Sequence, residues 1–252
     1  MRFTYLLINL FSVLVPFLFS FHPSLKFYRN WRSLFPAMFI TGGIFIAWDM
    51  YFTHLKIWGF NPVYLTGIYI GNLPVEEVLF FFCIPYSCVF TYACLNVMIK
   101  KKISARYQII ISSLLIALSL FMAIWFHKQH YTCYTFAALT ILLFTAQFIL
   151  KVNWLSMFYN AYLLLLLPFL IVNGLLTGTG LENPVVWYNP AHITGLRILT
   201  IPVEDIFYGM DLILLNVMIY SGLSARFYPW FKNQRKAINS KSSLTYVKTI
   251  SC

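Results

Sequence analysis

Seven acidic residues stand in a chain of 252, and they fall in a pattern that could move protons. Glu76 and Glu77 follow Pro74-Val75, and Glu204 and Asp205 follow Pro202-Val203, each pair directly ahead of a long apolar run. Asp49, Asp211 and Glu182 complete the set. Carboxyls crowded in a dry site cannot all ionise; one keeps its proton and becomes an acid beside an ionised partner. Such a pair can donate a proton and later accept one. A plainer reading also exists. Acids in a first helical turn meet the positive end of the helix dipole and simply start the helix. Two matching pairs together with Asp49 and Asp211 exceed what capping requires. Glu204 and Asp211, seven residues apart, share one helix face.

The apolar runs set the environment of these acids. Hydrophobic residues make up 60% of the chain and charged residues 10%, against about 25% charged in soluble domains. The composition excludes an ordinary soluble domain and implies an integral membrane protein. At about 20 apolar residues per crossing, seven spans are expected, at 3–21, 34–52, 75–99, 107–126, 133–150, 155–176 and 202–221. Seven crossings divide the Lys and Arg residues fourteen to four between the two sides. The positive-inside rule then places the N-terminus outside and the basic tail, from residue 223, in the cytoplasm, with the chain in the plasma (inner) membrane. All seven acids fall on the outer part. The net charge of +11 belongs to cytoplasmic loops facing anionic lipid, so membrane lipid is an expected partner and nucleic acid is not.

A repeat organises the spans. Residues 61–77 and 189–205 both read N-P-x3-T-G-x6-P-V-E-[ED], at a constant offset of 128, and LNVMI recurs at 95–99 and 215–219. The repeat pairs helices 1, 2 and 3 with helices 5, 6 and 7, and leaves helix 4 as connector. The expected fold is all-α: two parallel three-helix repeats, 1–99 and 131–222, joined by a connector at 100–130. An odd connector gives both units one orientation, related by an axis along the membrane normal, with a site expected between them. Aromatic residues near the acids, among them Phe80, Phe81, Tyr208 and Trp58, could shield a cation with their ring faces. Asn61/Pro62 and Asn189/Pro190 are expected to shape the loop before each acid pair, or to line the site. His54 and His192 lie on the acid-rich side, where they could tune a carboxyl.

The stretches WDMYFTHLKIWGFNPVYLTGIYIGNLPVEEVLFFFCIPYSCVFTY and NPVVWYNPAHITGLRILTIPVEDIFYGMDLILLNVMIY resemble the lycopene cyclase family of the heterodimeric membrane type, in a single-chain version with the two subunits fused. The resemblance covers most of residues 1–221. It implies a lycopene β-cyclase, an intramolecular lyase or isomerase that closes the ends of a linear polyene into β-ionone rings without net redox change. It further implies catalytic roles for Glu76, Glu77, Glu204 and Asp205, with Asp49 next. Substrate contacts are expected from Asp211, Phe80, Phe81, Tyr208 and Trp58. The implied partner is a lipid-soluble carotenoid, with other enzymes of carotenoid synthesis as neighbours. Two departures from the family pattern stand out: Ala93 and Ser221 follow Tyr92 and Tyr220, where relatives often carry an acid. Helix 7 also has eight fewer residues than helix 3 between the acid pair and LNVMI.

No cofactor and no metal are expected. The chain has no G-x-G-x-x-G turn for a dinucleotide, no aspartate-rich diphosphate motif, no retinal lysine in helix 7, and no metal-ligand spacing among its histidines. Two other readings stay open: a cyclase for another acyclic carotenoid, and a proton-coupled transporter with intramembrane acids between parallel repeats.

Overall fold

A computed structural model describes residues 2–99 and 104–227. Residues 228–252, most of the expected tail, and Lys100–Lys102 of the basic inner loop lie outside the described residues.

Every backbone N–H and C=O in hydrocarbon must be satisfied within the protein, so apolar runs of this length fold as helices. Seven form among the described residues: α1 (Thr4–Phe19), α2 (Trp31–His54), α3 (Val75–Met98), α4 (Ala105–Trp125), α5 (His130–Phe144), α6 (Leu155–Leu176) and α7 (Val203–Phe227). A five-residue π-helical turn, Thr145–Ile149, extends α5. Each expected span coincides with a helix, and six are long and apolar enough to cross a membrane. α1 is the exception. It has 16 residues, fewer than the usual minimum of about 17.

The packing inverts the pattern of a soluble bundle. On α4, Ile110, Leu114, Leu118, Phe121 and Ile124 are exposed, while Gln108, Ser112 and Ser119 are buried. These polar residues bind neighbouring helices: Gln108 Nε2 donates to Gln147 Oε1 at 3.0 Å, and Ser119 and Thr140 share a hydroxyl hydrogen bond of 2.8 Å. Helices in lipid gain nothing from hiding apolar groups from one another, so small and polar contacts hold them.

The two units interlock. α1 packs on α3, and α5 packs on α7 in the same way; α2 crosses over to α7, and α6 to α3. α3 and α7 meet at the centre. At one end of the bundle the units are joined by a short antiparallel ribbon of β1 (Trp58–Phe60) and β4 (Val186–Tyr188), with Trp58 opposite Tyr188 and Gly59 opposite Trp187. A side chain at 59 would lie 2.4 Å from the Trp187 ring, so the close pairing requires glycine there.

Each acid-bearing helix is entered through a two-strand hairpin, β2 (Tyr69–Ile70) with β3 (Leu73–Pro74) before α3, and β5 (Arg197–Ile198) with β6 (Ile201–Pro202) before α7. Pro74 and Pro202 end these strands just ahead of the helices, one position earlier than a first-turn proline. The turns demand a left-handed residue. Gly71 supplies it at φ 64°, and Leu199 occupies the matching place at φ 57°. A non-glycine residue there costs about 1–3 kcal/mol, partly offset by glycine's larger entropy loss on folding. Leu199→Gly is therefore expected to stabilise the protein by about 1 kcal/mol, read as a rise in the thermal unfolding midpoint in detergent.

Candidate functional site

One buried cavity lies between the units, with a volume of about 330 Å³. α3 lines it with a single stripe, Glu77, Phe80, Ile84, Ser87 and Thr91, at the three- and four-residue spacing of one helix face. At about 1.5 Å per residue this stripe is about 21 Å long. Tyr162, Leu165, Phe169, Val172 and Asn173 of α6 face it. α1 adds Tyr5, Ser12 and Pro16; α7 adds Asp205, Tyr208 and Leu212; both ribbon strands line the end nearest them.

Three carboxylates line the cavity at the ribbon end: Asp49, Glu77 and Asp205. All are buried. Asp205 is the most fully bonded. The Tyr131 hydroxyl donates to its Oδ1 at 2.6 Å; Asn173 Nδ2 and the Tyr188 hydroxyl donate to its Oδ2 at 2.7 and 2.8 Å. Glu77 Oε2 accepts from the Tyr5 hydroxyl. Asp49 Oδ1 accepts from the Trp58 indole N–H, and its Oδ2 has no partner. Burial, and then the neighbouring Asp205 carboxylate, holds the Tyr188 phenol well above its ordinary pKa, so at neutral pH it is a donor.

The first acid of each pair points elsewhere. Glu76 Oε1 accepts from the backbone N–H of Thr66 at 2.6 Å, and Glu204 Oε1 accepts from that of Thr194 at 2.7 Å. Thr66 and Thr194 are the threonines of the repeated T-G, ten residues upstream in both units. Glu204 Oε1 also accepts from the Thr132 hydroxyl at 2.7 Å, and the Glu76 carbonyl accepts from Asn9 Nδ2 at 2.7 Å. Asn61 and Asn189 accept from Val63 and Ala191 N–H at 3.1 and 3.0 Å, capping 3₁₀ turns. The spaced repeat thus describes a loop folded back onto the start of its own helix. Adjacent residues on a helix point about 100° apart, which turns Glu76 and Glu204 to the loop and Glu77 and Asp205 to the cavity.

Of the aromatic residues singled out from sequence, Phe80, Trp58 and Tyr208 line the cavity. Phe81 is instead buried in packing with Phe45 and Leu212. Asp211 is fully buried but is not a wall residue; neither of its oxygens has a hydrogen-bond partner. His54 and His192 are also off the wall. His192 stacks on His130 with centroids 4.9 Å apart, and partial burial, then His130, lowers its pKa. Trp58, Tyr131 and Tyr208 contact one another with ring centroids 5.0–5.9 Å apart. The donors Tyr5, Tyr131, Asn173 and Tyr188 were not among the sequence candidates. Their signal was faint: Tyr5 and Tyr131 are each the second residue of their helices, and Asn173 is one of two amides in a mostly apolar run, with Asn160.

A second pocket, where α4 begins and α5 gives way to α6, is lined by Gln108, Gln147, Lys151 and Ser156 and has no carboxylate wall. The acid-lined cavity is the candidate site.

The family model described as lycopene cyclase matches residues 2–95 and 128–223, well over half of the chain and one segment for each repeat. No curated protein and no solved structure gives a match.

The loop-anchoring geometry sets a stability expectation. Glu204→Ala leaves the Thr194 N–H and the Thr132 hydroxyl without an acceptor, and a buried unsatisfied donor costs about 1–3 kcal/mol. Glu204→Gln keeps an acceptor oxygen and should retain most of the parent's stability. Thermal unfolding of the two variants in detergent, against the parent, tests the ordering.

Proposed function

This chain belongs to the lycopene cyclase family, and on that premise we propose that it is a lycopene β-cyclase. It would take a linear carotenoid from the bilayer and close its ends to β-ionone rings, giving a monocyclic and then a bicyclic product. The observation that carries the reading is the placement of Asp49, Glu77 and Asp205 in the wall of a mostly apolar, aromatic-lined cavity. Cyclisation needs a proton delivered to a terminal double bond, protection of the resulting cation from water, and removal of a different proton from the ring. Carboxyls serve the first and last steps. The ring faces of Trp58, Phe80 and Tyr208 suit the intermediate cation, and burial excludes water that would otherwise capture it.

We further propose that residues 1–99 and 131–222 act as one catalytic unit, with 100–130 as connector. Neither half would hold the site alone, because α2 and α6 supply Asp49 and Asn173 while each packs against the other half's acid-bearing helix. The fourteen-to-four division of basic residues favours the inner membrane, with the carboxylate end of the cavity toward the outer face and the C-terminal tail cytoplasmic.

The groove, about 21 Å long from Glu77 to Thr91, suits one end of a forty-carbon polyene. Both ends cannot reach the carboxylates together. Expression in a lycopene-accumulating bacterium, with timed extraction and chromatography, should show a monocyclic product rising before the bicyclic one. Lycopene left unchanged by an abundant, membrane-inserted protein would overturn the reading.

A further inference from the structure

The two units place their site residues at equivalent positions but not with equivalent chemistry. Tyr5 and Tyr131 are each the second residue of α1 and α5, and each donates to the second acid of its own unit, Glu77 or Asp205. That much is symmetric. Asp49 and Asn173 each lie eighteen residues after the first residue of α2 and α6. In one unit this position is a carboxyl, and in the other it is an amide that donates to Asp205 at 2.7 Å. Phe60 and Tyr188 are related by the repeat offset of 128. Tyr188 donates to Asp205 at 2.8 Å, whereas Phe60 has nothing to donate.

The second unit therefore surrounds one carboxylate with three neutral donors. The first removes two of those donors and puts a second acid in place of one. From this broken symmetry, and resting on the cyclase reading above, we propose that the acid pair Glu77–Asp49 delivers the initiating proton and that Asp205 removes the ring proton. Hydrogen bonds to a carboxylate's anionic form favour that form, and three donors satisfy Asp205 as an anion. Glu77 and Asp49 line the same cavity with one donor each among the described residues, and two carboxyls so placed favour sharing a proton.

The electrons balance. The π pair of the terminal double bond takes the proton from the acid pair and forms a C–H bond, leaving a tertiary cation. The π pair of an internal double bond forms the ring C–C bond and moves the positive charge into the ring. The electron pair of a ring C–H bond becomes the ring double bond as that proton passes to Asp205. One proton enters and one leaves, so no oxidant or reductant is needed. Tyr188 and Asn173 are positioning residues for Asp205, and Trp58 is the positioning residue for Asp49.

The two roles fail differently. Without its acid the reaction never starts; without its base the cation forms and resolves by another route. The test compares Glu77→Gln, Asp205→Asn, Tyr188→Phe and Trp58→Phe in membranes supplied with lycopene, each checked for abundance and monodispersity in detergent. Glu77→Gln should lose about 10²–10⁴-fold in turnover and leave only starting polyene. Asp205→Asn should still consume polyene, more slowly, with a new share of rings whose double bond is displaced or whose cation has captured water. Tyr188→Phe should shift products in the same direction by a smaller amount, and Trp58→Phe should slow turnover with β-rings as the sole product. If Asp205→Asn folds poorly, Tyr188→Phe carries the test. Altered rings from Glu77→Gln, or unaltered β-rings from both Asp205→Asn and Tyr188→Phe, would overturn the assignment, as would an abundant, folded Asp205→Asn that leaves only starting polyene. Failure of the parent itself to cyclise lycopene would instead count against the cyclase reading, so the two failures are distinct.

Discussion

A carboxylate placed in hydrocarbon must find its hydrogen-bond donors within the protein, because water is absent. Much of this architecture answers that constraint. Asp205 draws Tyr131 from α5, Asn173 from α6 and Tyr188 from the ribbon. Glu77 and Asp49 draw Tyr5 from α1 and Trp58 from the ribbon. Four of the helices that surround α3 and α7 each bring a side chain to one end of the bundle, and the ribbon brings two more. The rest of the cavity wall is mostly apolar, with Ser12, Ser87 and Thr91 as hydroxyl exceptions.

The crossed packing of the units follows from the same need. If α2 and α6 packed only within their own units, the two acid-bearing helices would face separate interiors. By crossing, α2 against α7 and α6 against α3, they bring both second acids into a common space. The β1–β4 pairing ties the two units together at the carboxylate end, and the glycine at 59 allows its close approach. The first acid of each pair secures the other side of the helix start by holding its upstream loop through Thr66 or Thr194. One dipeptide thus serves two tasks, a loop anchor and a cavity wall.

The helices and the duplication were legible because they rest on long-range statistics: runs of some twenty apolar residues and a spaced pattern written twice. The separation of Glu76 from Glu77 was not legible. It depends on how the helix start is rotated, and the hairpins that fix this rotation are only two residues per strand. Phe81 and Asp211 illustrate the same limit. Their neighbours in sequence line the cavity, but helical rotation turns them into packing between helices. The donors to the carboxylates were hidden for another reason. A tyrosine near a membrane surface is ordinary, and only the fold reveals which phenol meets which acid. Asn173 was the most accessible of them, since an amide in the leucine-rich part of a helix needs a partner. Leu199 shows a signal that pointed the wrong way: nothing in the type of residue announces a left-handed turn, and only its repeat partner Gly71 does.

The shortness of α1 has a mechanical consequence. Its 16 residues span about 24 Å, against a hydrocarbon core about 30 Å thick. Hydrophobic mismatch of this sign draws the two leaflets together beside the helix. α1 is also a cavity wall, through Tyr5, Ser12 and Pro16, and its outward residues Leu7, Phe11 and Leu14 are exposed to lipid. A bilayer thinned in this way would lie against one wall of the site. Lipid tails beside a short helix would pack less well, and an apolar molecule exchanging with the bilayer along α1 would displace fewer ordered neighbours.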